Sequence, residues 1–260
     1  MDNLKNTYSI ILPTFNEAGH IKKLILEIYE IFLSSNDLFE IIIVDDNSTD
    51  GTSEIINEIS KTNKVIISVI RKNKKGSLVD SLNEGIILSK YENIIWMDAD
   101  YSHPPEYLKE IIDYNKKKDA DLIVFSRFLT ASKRYYDVEN KKPLFVDLLS
   151  KILNSTCNFL LFKDFTDYTS GYICVKKNIV KNNQLKGYYG DYFIRLIVES
   201  YFKKKKIIEL PFIEKDRLTG QSKTTFNKIS FLIKCFFYLK ILIISMFKKI
   251  LFNFKKSFKN

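Results

Sequence analysis

The stretch IIWMDADYSHPP, residues Ile94–Pro105, decides the fold of this chain. A short apolar run leads directly into two carboxylates at positions i and i+2, and two prolines then open the next segment. A run that is apolar on both faces is typical of a buried parallel strand. Ligands collect at the carboxyl ends of such strands, so the pattern predicts a binding site at Asp98 and Asp100.

The same pattern recurs along the first half of the chain. Five strands are predicted: Tyr8–Leu12, Glu40–Val44, Val65–Ile70, Asn93–Met97 and Leu122–Ser126. Four segments with helical periodicity alternate with them: Glu17–Phe32, Thr52–Ser60, Lys75–Ser89 and Pro105–Lys117. Strand and helix in alternation predict an α/β fold with a mostly parallel, doubly wound sheet. A further strand is predicted at Ile207–Phe212.

Polar groups follow each of the five strands. These loops are Pro13–Glu17, Asp45–Thr52, Arg71–Gly76, Asp98–His103 and Ser126–Arg127. Because parallel strands end at one edge of a sheet, we expect the five loops to meet there.

Two carboxylates spaced like Asp98 and Asp100 can hold Mg²⁺ or Mn²⁺, which would stabilise a departing diphosphate. The alternative is a solvated turn. The strand-terminal acids Asp45 and Asp46 suit hydrogen bonds to a ribose or a base, although the same loop could simply cap a helix. Arg71 could lie near phosphates or in a solvated basic loop.

Neither histidine has metal-ligand spacing. His20 is predicted on the surface of a helix, and His103 is predicted to do no more than support its neighbours.

Composition narrows the class of protein. The chain has 260 residues, of which 45% are hydrophobic and 28% charged, which is typical of a globular protein. Its three cysteines are too far apart for a zinc ribbon or a disulfide framework. The N-terminus has acidic Asp2 and only a short apolar run, Ile10–Leu12, so we predict no signal peptide and a cytoplasmic location.

The positive charge is concentrated at the C-terminus. The formal net charge is +10, and the ten basic residues after Asp216 account for all of it. A neutral body argues against nucleic acid as a partner. We predict that residues 226–260 form a basic, apolar helix on an anionic membrane surface, lying in its plane or spanning it. The predicted apolar face is Leu232, Phe236, Leu239, Ile243, Met246, Ile250 and Phe254; the opposite face is Ser230, Lys234, Ser245, Lys248 and Lys255. A helix packed on the body is the alternative.

Together these motifs resemble family 2 glycosyltransferases of the GT-A fold, and most closely the branch that contains the dolichyl-phosphate mannosyltransferases and other polyprenyl-phosphate sugar transferases. The matching elements, in chain order, are Pro13–Glu17, Val44–Thr52, Asp98–Pro105, Ser126–Arg127, Asp167–Tyr172 and Arg217–Lys223. The resemblance therefore runs from about Tyr8 to Lys223. Two features depart from the family: its glycine-rich loop is reduced to Gly76, and Val146 stands where an arginine is usual.

The resemblance implies a catalytic domain over residues 1–225 and a role for each matching residue. Nucleotide-sugar contacts are predicted for Pro13, Phe15, Glu17, Asp45, Asp46, Arg71, Asp98 and Ala99. The predicted metal ligands are Asp98, Asp100 and Ser102. The predicted acceptor-phosphate site is Arg127, Ser150, Arg217 and Lys223; the predicted catalytic residues are Asp98, Asp100, Arg127 and Arg217.

The implied activity is an inverting, metal-dependent transfer of a hexose from a nucleotide-sugar to a polyprenyl phosphate, at the cytoplasmic face of the membrane. GDP-mannose is the favoured donor, and UDP-glucose is also possible. One alternative is a saccharide acceptor, although the Q-x-x-R-W motif of processive enzymes is impossible because the single tryptophan is Trp96. A basic binding protein without activity is the other alternative, and the Asp98/Asp100 pair argues against it.

Overall fold

A computed structural model describes residues 5–72, 76–117, 120–134, 144–181, 184–218 and 228–257. The strands are β1 (Thr7–Thr14), β2 (Leu38–Asp45), β3 (Ile66–Ile70), β4 (Asn93–Trp96), β5 (Leu122–Ser126), β6 (Lys133–Arg134), β7 (Ile173–Lys176), β8 (Ile207–Pro211) and β9 (Ile213–Glu214). The helices are α1 (Ile21–Ser35), α2 (Thr52–Thr62), α3 (Leu78–Leu88), α4 (Leu108–Lys117), α5 (Leu144–Leu160), α6 (Lys177–Val180), α7 (Asp191–Phe202) and α8 (Lys228–Ser257). A 3₁₀ turn, Pro105–Tyr107, precedes α4.

Within the described part of the chain, seven strands form one sheet in the order β3-β2-β1-β4-β7-β5-β8. All neighbours are parallel except β7, which runs antiparallel between β4 and β5. The predicted strands are all present, which confirms a mostly parallel α/β sheet. The intervening β7 was not predicted, because only three apolar residues mark it and it lies outside the strand–helix alternation of the first half.

Both faces of the sheet are covered. In β1, Ile10 and Leu12 pack in the same cluster as Leu24 of α1, whereas Ile11 faces Leu82 of α3. A Cβ added to Gly85 of α3 would overlap the Ile11 side chain, so this glycine permits close approach of helix and sheet. The double coverage explains why these strands are apolar throughout.

The register brings the polar loops to one edge. Thr14 at the end of β1 lies opposite Asp45 at the end of β2, and the Arg71 amide after β3 donates to the Asp45 carbonyl at 2.8 Å. The edge formed by these carboxyl ends carries the candidate site described below.

Helix α8 packs on α7, and Ile241 and Leu242 belong to the same apolar cluster as the sheet. The predicted C-terminal helix is therefore present, and part of it is packed on the body. The side that contacts the body includes polar residues. Ser245 is buried, Lys234 Nζ lies 4.2 Å from the centroid of the Tyr189 ring, and Lys248 Nζ lies 3.3 Å from Glu199 Oε1.

The exposed face of α8 is the apolar one. The large apolar side chains that are at least 45% exposed on it are Leu232, Phe236, Leu239, Ile243, Phe247, Ile250, Leu251 and Phe254. Met246, predicted on this face, is half-buried. Lys234 and Lys248, predicted on the face opposite the apolar one, contact the body. Ser230 and Lys255 lie outside the described side chains. Across the described residues, we find no helix with the length and apolar character that crossing a bilayer requires.

Candidate active site

The loops after β1 and β2 are tied to each other by hydrogen bonds. The Glu17 amide donates to Thr52 Oγ1 at 2.8 Å, and the Ala18 amide donates to Asp50 Oδ2 at 3.0 Å. The Thr49 amide donates to Asn16 Oδ1 at 2.9 Å. Phe15 projects from these hydrogen-bonded loops, and its side chain is 37% exposed. The half-buried Pro13 is the penultimate residue of β1. The two predicted nucleoside elements thus form one rigid wall with an exposed aromatic ring.

Asp45 and Asp46 point in different directions. The buried Asp45 carboxylate accepts hydrogen bonds from the Ser48 amide at 3.0 Å, the Ser48 hydroxyl at 2.5 Å and the Ser53 hydroxyl at 2.5 Å. Asp46 instead accepts from the Ser77 amide at 2.7 Å, at the start of α3. A carboxylate has about four lone-pair sites, so Asp45 keeps capacity for one more donor.

Arg71 is buried beneath this wall. Its guanidinium donates to Asp46 Oδ1 and to Ser81 Oγ, the latter at 2.9 Å. Asp80 and Glu84 lie 3.5 and 3.4 Å away. Three carboxylates therefore surround Arg71, which holds the loop that carries Asp46 instead of projecting into open space. Lys74 and Lys75 lie outside the described residues.

Asp98 and Asp100 follow β4 and have different environments. The Asp98 side chain is 44% exposed, whereas that of Asp100 is 4% exposed. The Asp98 amide donates to His103 Nδ1 at 2.9 Å, and the buried His103 ring stacks on Tyr172 with centroids 5.0 Å apart. A Cβ on Gly171 would lie 3.3 Å from His103 Cε1. The Asp167–Tyr172 motif, which contains Gly171, therefore packs directly against the loop that carries Asp98 and Asp100.

Asp100 is held on both oxygens. Oδ1 accepts from the Ser102 amide at 2.9 Å and the Ser102 hydroxyl at 2.6 Å, and Oδ2 lies 2.9 Å from Arg217 Nη2. Burial alone would raise the pKa of Asp100, but the Arg217 charge and the Ser102 hydrogen bonds outweigh it and hold that pKa below its usual value. Asp100 is therefore an anion near neutral pH.

Helix α1 supports the acidic loop from behind. His20 Nε2 lies 3.0 Å from the Ala99 carbonyl and 3.0 Å from Glu17 Oε2; both are acceptors, so the imidazole donates from Nε2. The Tyr101 hydroxyl donates to Glu27 Oε2 at 2.9 Å, and Tyr101 has a left-handed φ of 67°. The prediction of a surface His20 is wrong. Because α1 begins only at Ile21, His20 lies in the turn before it and is buried.

Arg127, after β5, is fixed by Asp167. Its amide, Nε and Nη2 donate to the Asp167 carboxylate at 3.0, 2.8 and 2.9 Å, and Nη2 also donates to Thr169 Oγ1 at 2.8 Å. Asn154 links this group to α5, since its Nδ2 donates to Thr169 Oγ1 at 2.9 Å and to the Ser150 carbonyl at 2.8 Å. The structure thus connects Arg127 with the half-buried Ser150. Lys223 lies outside the described residues.

The sequence-based list of site residues lacks several groups that the structure adds. His20, Glu27 and Tyr101 hold the acidic loop, and Asp167 holds Arg127. Asp167 lies within the Asp167–Tyr172 motif, so its position carried a signal. Nothing in the pattern around Glu27 could have indicated its contact, because that contact joins residues 74 positions apart.

The donor atoms of the acidic loop suit a hard divalent cation. Carboxylate and hydroxyl oxygens are the preferred ligands of Mg²⁺ and Mn²⁺, and Asp98 is accessible to solvent. Over the described ranges, no three His, Cys, Asp or Glu side chains cluster as a metal site. The candidate set is therefore two carboxylates and the Ser102 hydroxyl, and a cation there must share Asp100 with Arg217.

The model of the family described as "Glycosyl transferase family 2" matches residues 9–183. The chain belongs to this family. A dolichol-phosphate mannosyltransferase of Pyrococcus furiosus is 30% identical over 217 residues, which are 83% of this chain and 58% of that protein. The chain therefore spans little more than half the length of that relative. A polyprenol monophosphomannose synthase of Mycolicibacterium smegmatis is 27% identical over 228 residues, 85% of this chain and 82% of that protein.

Solved structures support the fold of this family 2 glycosyltransferase. Glucosyl-3-phosphoglycerate synthase from Mycobacterium tuberculosis, in complex with Mn²⁺, uridine-diphosphate-glucose and phosphoglyceric acid, matches with a TM-score of 0.64 at 15% identity. The match covers 93% of this chain and 80% of that one. The predicted GT-A fold is confirmed, as is the predicted family.

Proposed function

We propose that the chain transfers a hexose from a nucleotide-sugar to a polyprenyl phosphate, with inversion at the anomeric carbon. Mannose from GDP-mannose is the favoured donor group, and glucose from UDP-glucose is the second candidate. The observation that carries the proposal is the ion pair of Asp100 with Arg217 beside Asp98 at the end of β4, with Arg127 at the end of β5 across the intervening β7. The names of two relatives, which specify dolichol-phosphate and polyprenol, support a lipid-phosphate acceptor.

On the donor side, the hydrogen-bonded loops after β1 and β2 would hold the nucleoside. Phe15 offers an exposed ring for a base, and the buried Glu17 and Asp45 carboxylates lie in the same two loops. Asp46 and Arg71 act indirectly by fixing the loop before α3, and the Ala99 carbonyl is held by His20. Asp98, Asp100 and Ser102 would hold Mg²⁺ or Mn²⁺, which neutralises the charge of the departing diphosphate.

On the acceptor side, positive charge is what the chemistry requires. A lipid monophosphate is already ionised near neutral pH, so its oxygen attacks without a general base. The protein must orient this anion and prevent its repulsion from the donor diphosphate. We assign this role to Arg127, Ser150, Arg217 and Lys223. Direct displacement from an α-linked donor then gives a β-linked lipid phosphate sugar.

The exposed apolar face of α8 supports attachment to the cytoplasmic face of a membrane. A helix that packs on its own protein usually turns its apolar side inward, whereas α8 exposes that side along most of its length. Because Lys234 and Lys248 contact the body, we assign most of the binding energy to apolar burial and less to anionic headgroups. The division at residue 225 remains a prediction.

A donor and acceptor screen tests the proposal. The full chain is incubated with radiolabelled GDP-mannose or UDP-glucose, with either a polyprenyl phosphate or free saccharides, in Mn²⁺ or in excess EDTA. We expect label in the lipid fraction that depends on both Mn²⁺ and the lipid phosphate. Label in a saccharide product would identify the saccharide-acceptor alternative instead. Transfer that persists in EDTA would contradict the metal assignment.

A further inference from the structure

Arg217 forms an ion pair with Asp100, one of the predicted metal ligands. Its Nη2 lies 2.9 Å from Asp100 Oδ2, and Ser102 binds the other oxygen of the same carboxylate through its amide and hydroxyl. The side chain of Arg217 is 29% exposed, whereas that of Asp100 is 4% exposed. A partly exposed guanidinium therefore pairs with Oδ2 of a buried carboxylate.

Backbone hydrogen bonds hold Arg217 beside Asp100. The Leu218 amide donates to the Asp100 carbonyl at 3.3 Å, and the Lys215 amide donates to the Ser102 carbonyl at 3.2 Å. Residues 215–218 thus run alongside residues 100–102 and deliver Arg217 to the carboxylate. A long, freely mobile side chain would lose more entropy in reaching the same place.

We propose that Arg217 is a tethered cation that exchanges with the divalent metal for Asp100 Oδ2, so that metal binding releases its guanidinium for the acceptor phosphate. This inference rests on the proposed function, because it takes the metal and the phosphate from there. A buried carboxylate without a countercharge is costly, and Arg217 meets that cost when no metal is bound. A guanidinium and a divalent cation on one oxygen repel each other, so the metal displaces the arginine.

The exchange sets the order in which the divalent metal and the acceptor phosphate bind. While Arg217 neutralises Asp100, its charge is only partly available to a phosphate, and this weakens acceptor binding before the metal and donor have bound. Once released, the guanidinium offers planar, paired N–H donors that suit a phosphate. Metal and acceptor should therefore favour each other's binding, and the coupling must be reciprocal.

Titration of Mn²⁺ followed by electron paramagnetic resonance tests the exchange without any turnover. The full chain, Arg217→Gln and the control Lys215→Gln are titrated with Mn²⁺ alone and with Mn²⁺ plus GDP. Lys215 is a suitable control because it loses the same charge two residues away, while its Nζ pairs with Glu106 at 2.7 Å instead of with the acidic loop. We expect Arg217→Gln to bind Mn²⁺ roughly three- to tenfold more tightly, and Lys215→Gln to change by less than about twofold.

Several results would overturn the inference. Mn²⁺ affinity of Arg217→Gln that is unchanged, weaker, or raised only as much as in Lys215→Gln means that no exchange takes place. Absence of Mn²⁺ binding to the wild type, with or without GDP, leaves nothing to exchange and also removes the metal from the proposed function.

A second measurement examines the coupling. Binding of a short-chain prenyl phosphate is measured with and without Mn²⁺ plus GDP. We expect the metal to tighten it several-fold in the wild type and to have much less effect in Arg217→Gln; equal tightening in both contradicts the exchange. If the exchange is seen but no donor gives lipid product, the proposed function fails while the inference about Arg217 and the metal stands.

Discussion

Replacement of Arg127 by alanine should destabilise the fold as well as the acceptor site. The Asp167 side chain is fully buried, and three of its hydrogen bonds come from Arg127. One of these donors, the Arg127 amide, survives the substitution, but Nε and Nη2 do not. Burial alone would raise the pKa of Asp167, and the charge of Arg127 outweighs it and holds that pKa below its usual value. Without Arg127, a buried carboxylate loses its countercharge.

The expected cost is large compared with that of an exposed pair. Breaking a buried ion pair by removing one partner costs about 3–5 kcal/mol, against a total stability of roughly 5–15 kcal/mol for a typical domain. The Lys215–Glu106 pair has side chains that are 49% and 54% exposed, so we expect Lys215→Ala to cost about 1 kcal/mol or less. Lost activity in Arg127→Ala would therefore combine lost folding with lost phosphate binding.

Urea unfolding followed by the fluorescence of Trp96, the single tryptophan and a buried one, measures both variants. The double variant Arg127→Met/Asp167→Leu should recover much of the stability, because apolar replacement of a buried pair is often neutral. A loss in Arg127→Ala no larger than that in Lys215→Ala would refute the reasoning. It would mean that Asp167 finds other donors or water once the guanidinium is removed.

Three further predictions concern the acidic loop, the pH dependence and α8. His20→Ala should weaken Mn²⁺–GDP binding about fivefold or more, because the buried Ala99 carbonyl loses its hydrogen-bond donor. His20→Gln should restore much of that affinity. Equal Mn²⁺–GDP affinities of both variants and the wild type would exclude a positioning role for His20. Because the folded pKa of Asp167 is lowered, its stabilising contribution is present above about pH 4 and is lost as the pH falls through the folded value, so the urea midpoint should drop in acid and drop less in Asp167→Asn. Phe236→Ser/Leu239→Ser should reduce flotation with lipid vesicles more than tenfold, since each side chain that is buried in the membrane contributes about 1.5–3 kcal/mol. The control variant Lys240→Gln, at an exposed residue, should have little effect in high salt. A larger loss of flotation in Lys240→Gln than in the double variant would indicate electrostatic attachment.

The sequence by itself determined the parallel half of the sheet and the edge that carries the site. Five runs of apolar residues specify strands that must be covered on both faces, and parallel strands place their carboxyl ends together. The positions of the loops around Asp45, Asp98 and Arg127 follow from this rule alone. Ordered motifs also indicated the family, because most of them follow predicted strands, where residue type is constrained by chemistry.

Tertiary structure alone decided what each charged side chain contacts. Arg71, Arg127 and Arg217 all look like phosphate ligands in the sequence, yet each is paired with a carboxylate 25 to 117 positions away. Such pairs carry no periodic signal, because they depend on how loops from different strands cross. The burial of His20 has the same origin, since it is fixed by the start of α1 and by the Ala99 carbonyl from a distant loop.

Packing likewise decided which side of α8 faces outward. The sequence separates an apolar face from a polar one, but this pattern alone does not decide whether the apolar face meets a membrane or the protein. In the fold, Ile241, Leu242 and Ser245 fit against the body, while Lys234 and Lys248 find an aromatic ring and a carboxylate on α7 and the loop before it. The helix is amphipathic by sequence, but the partners offered by the rest of the chain determine its orientation.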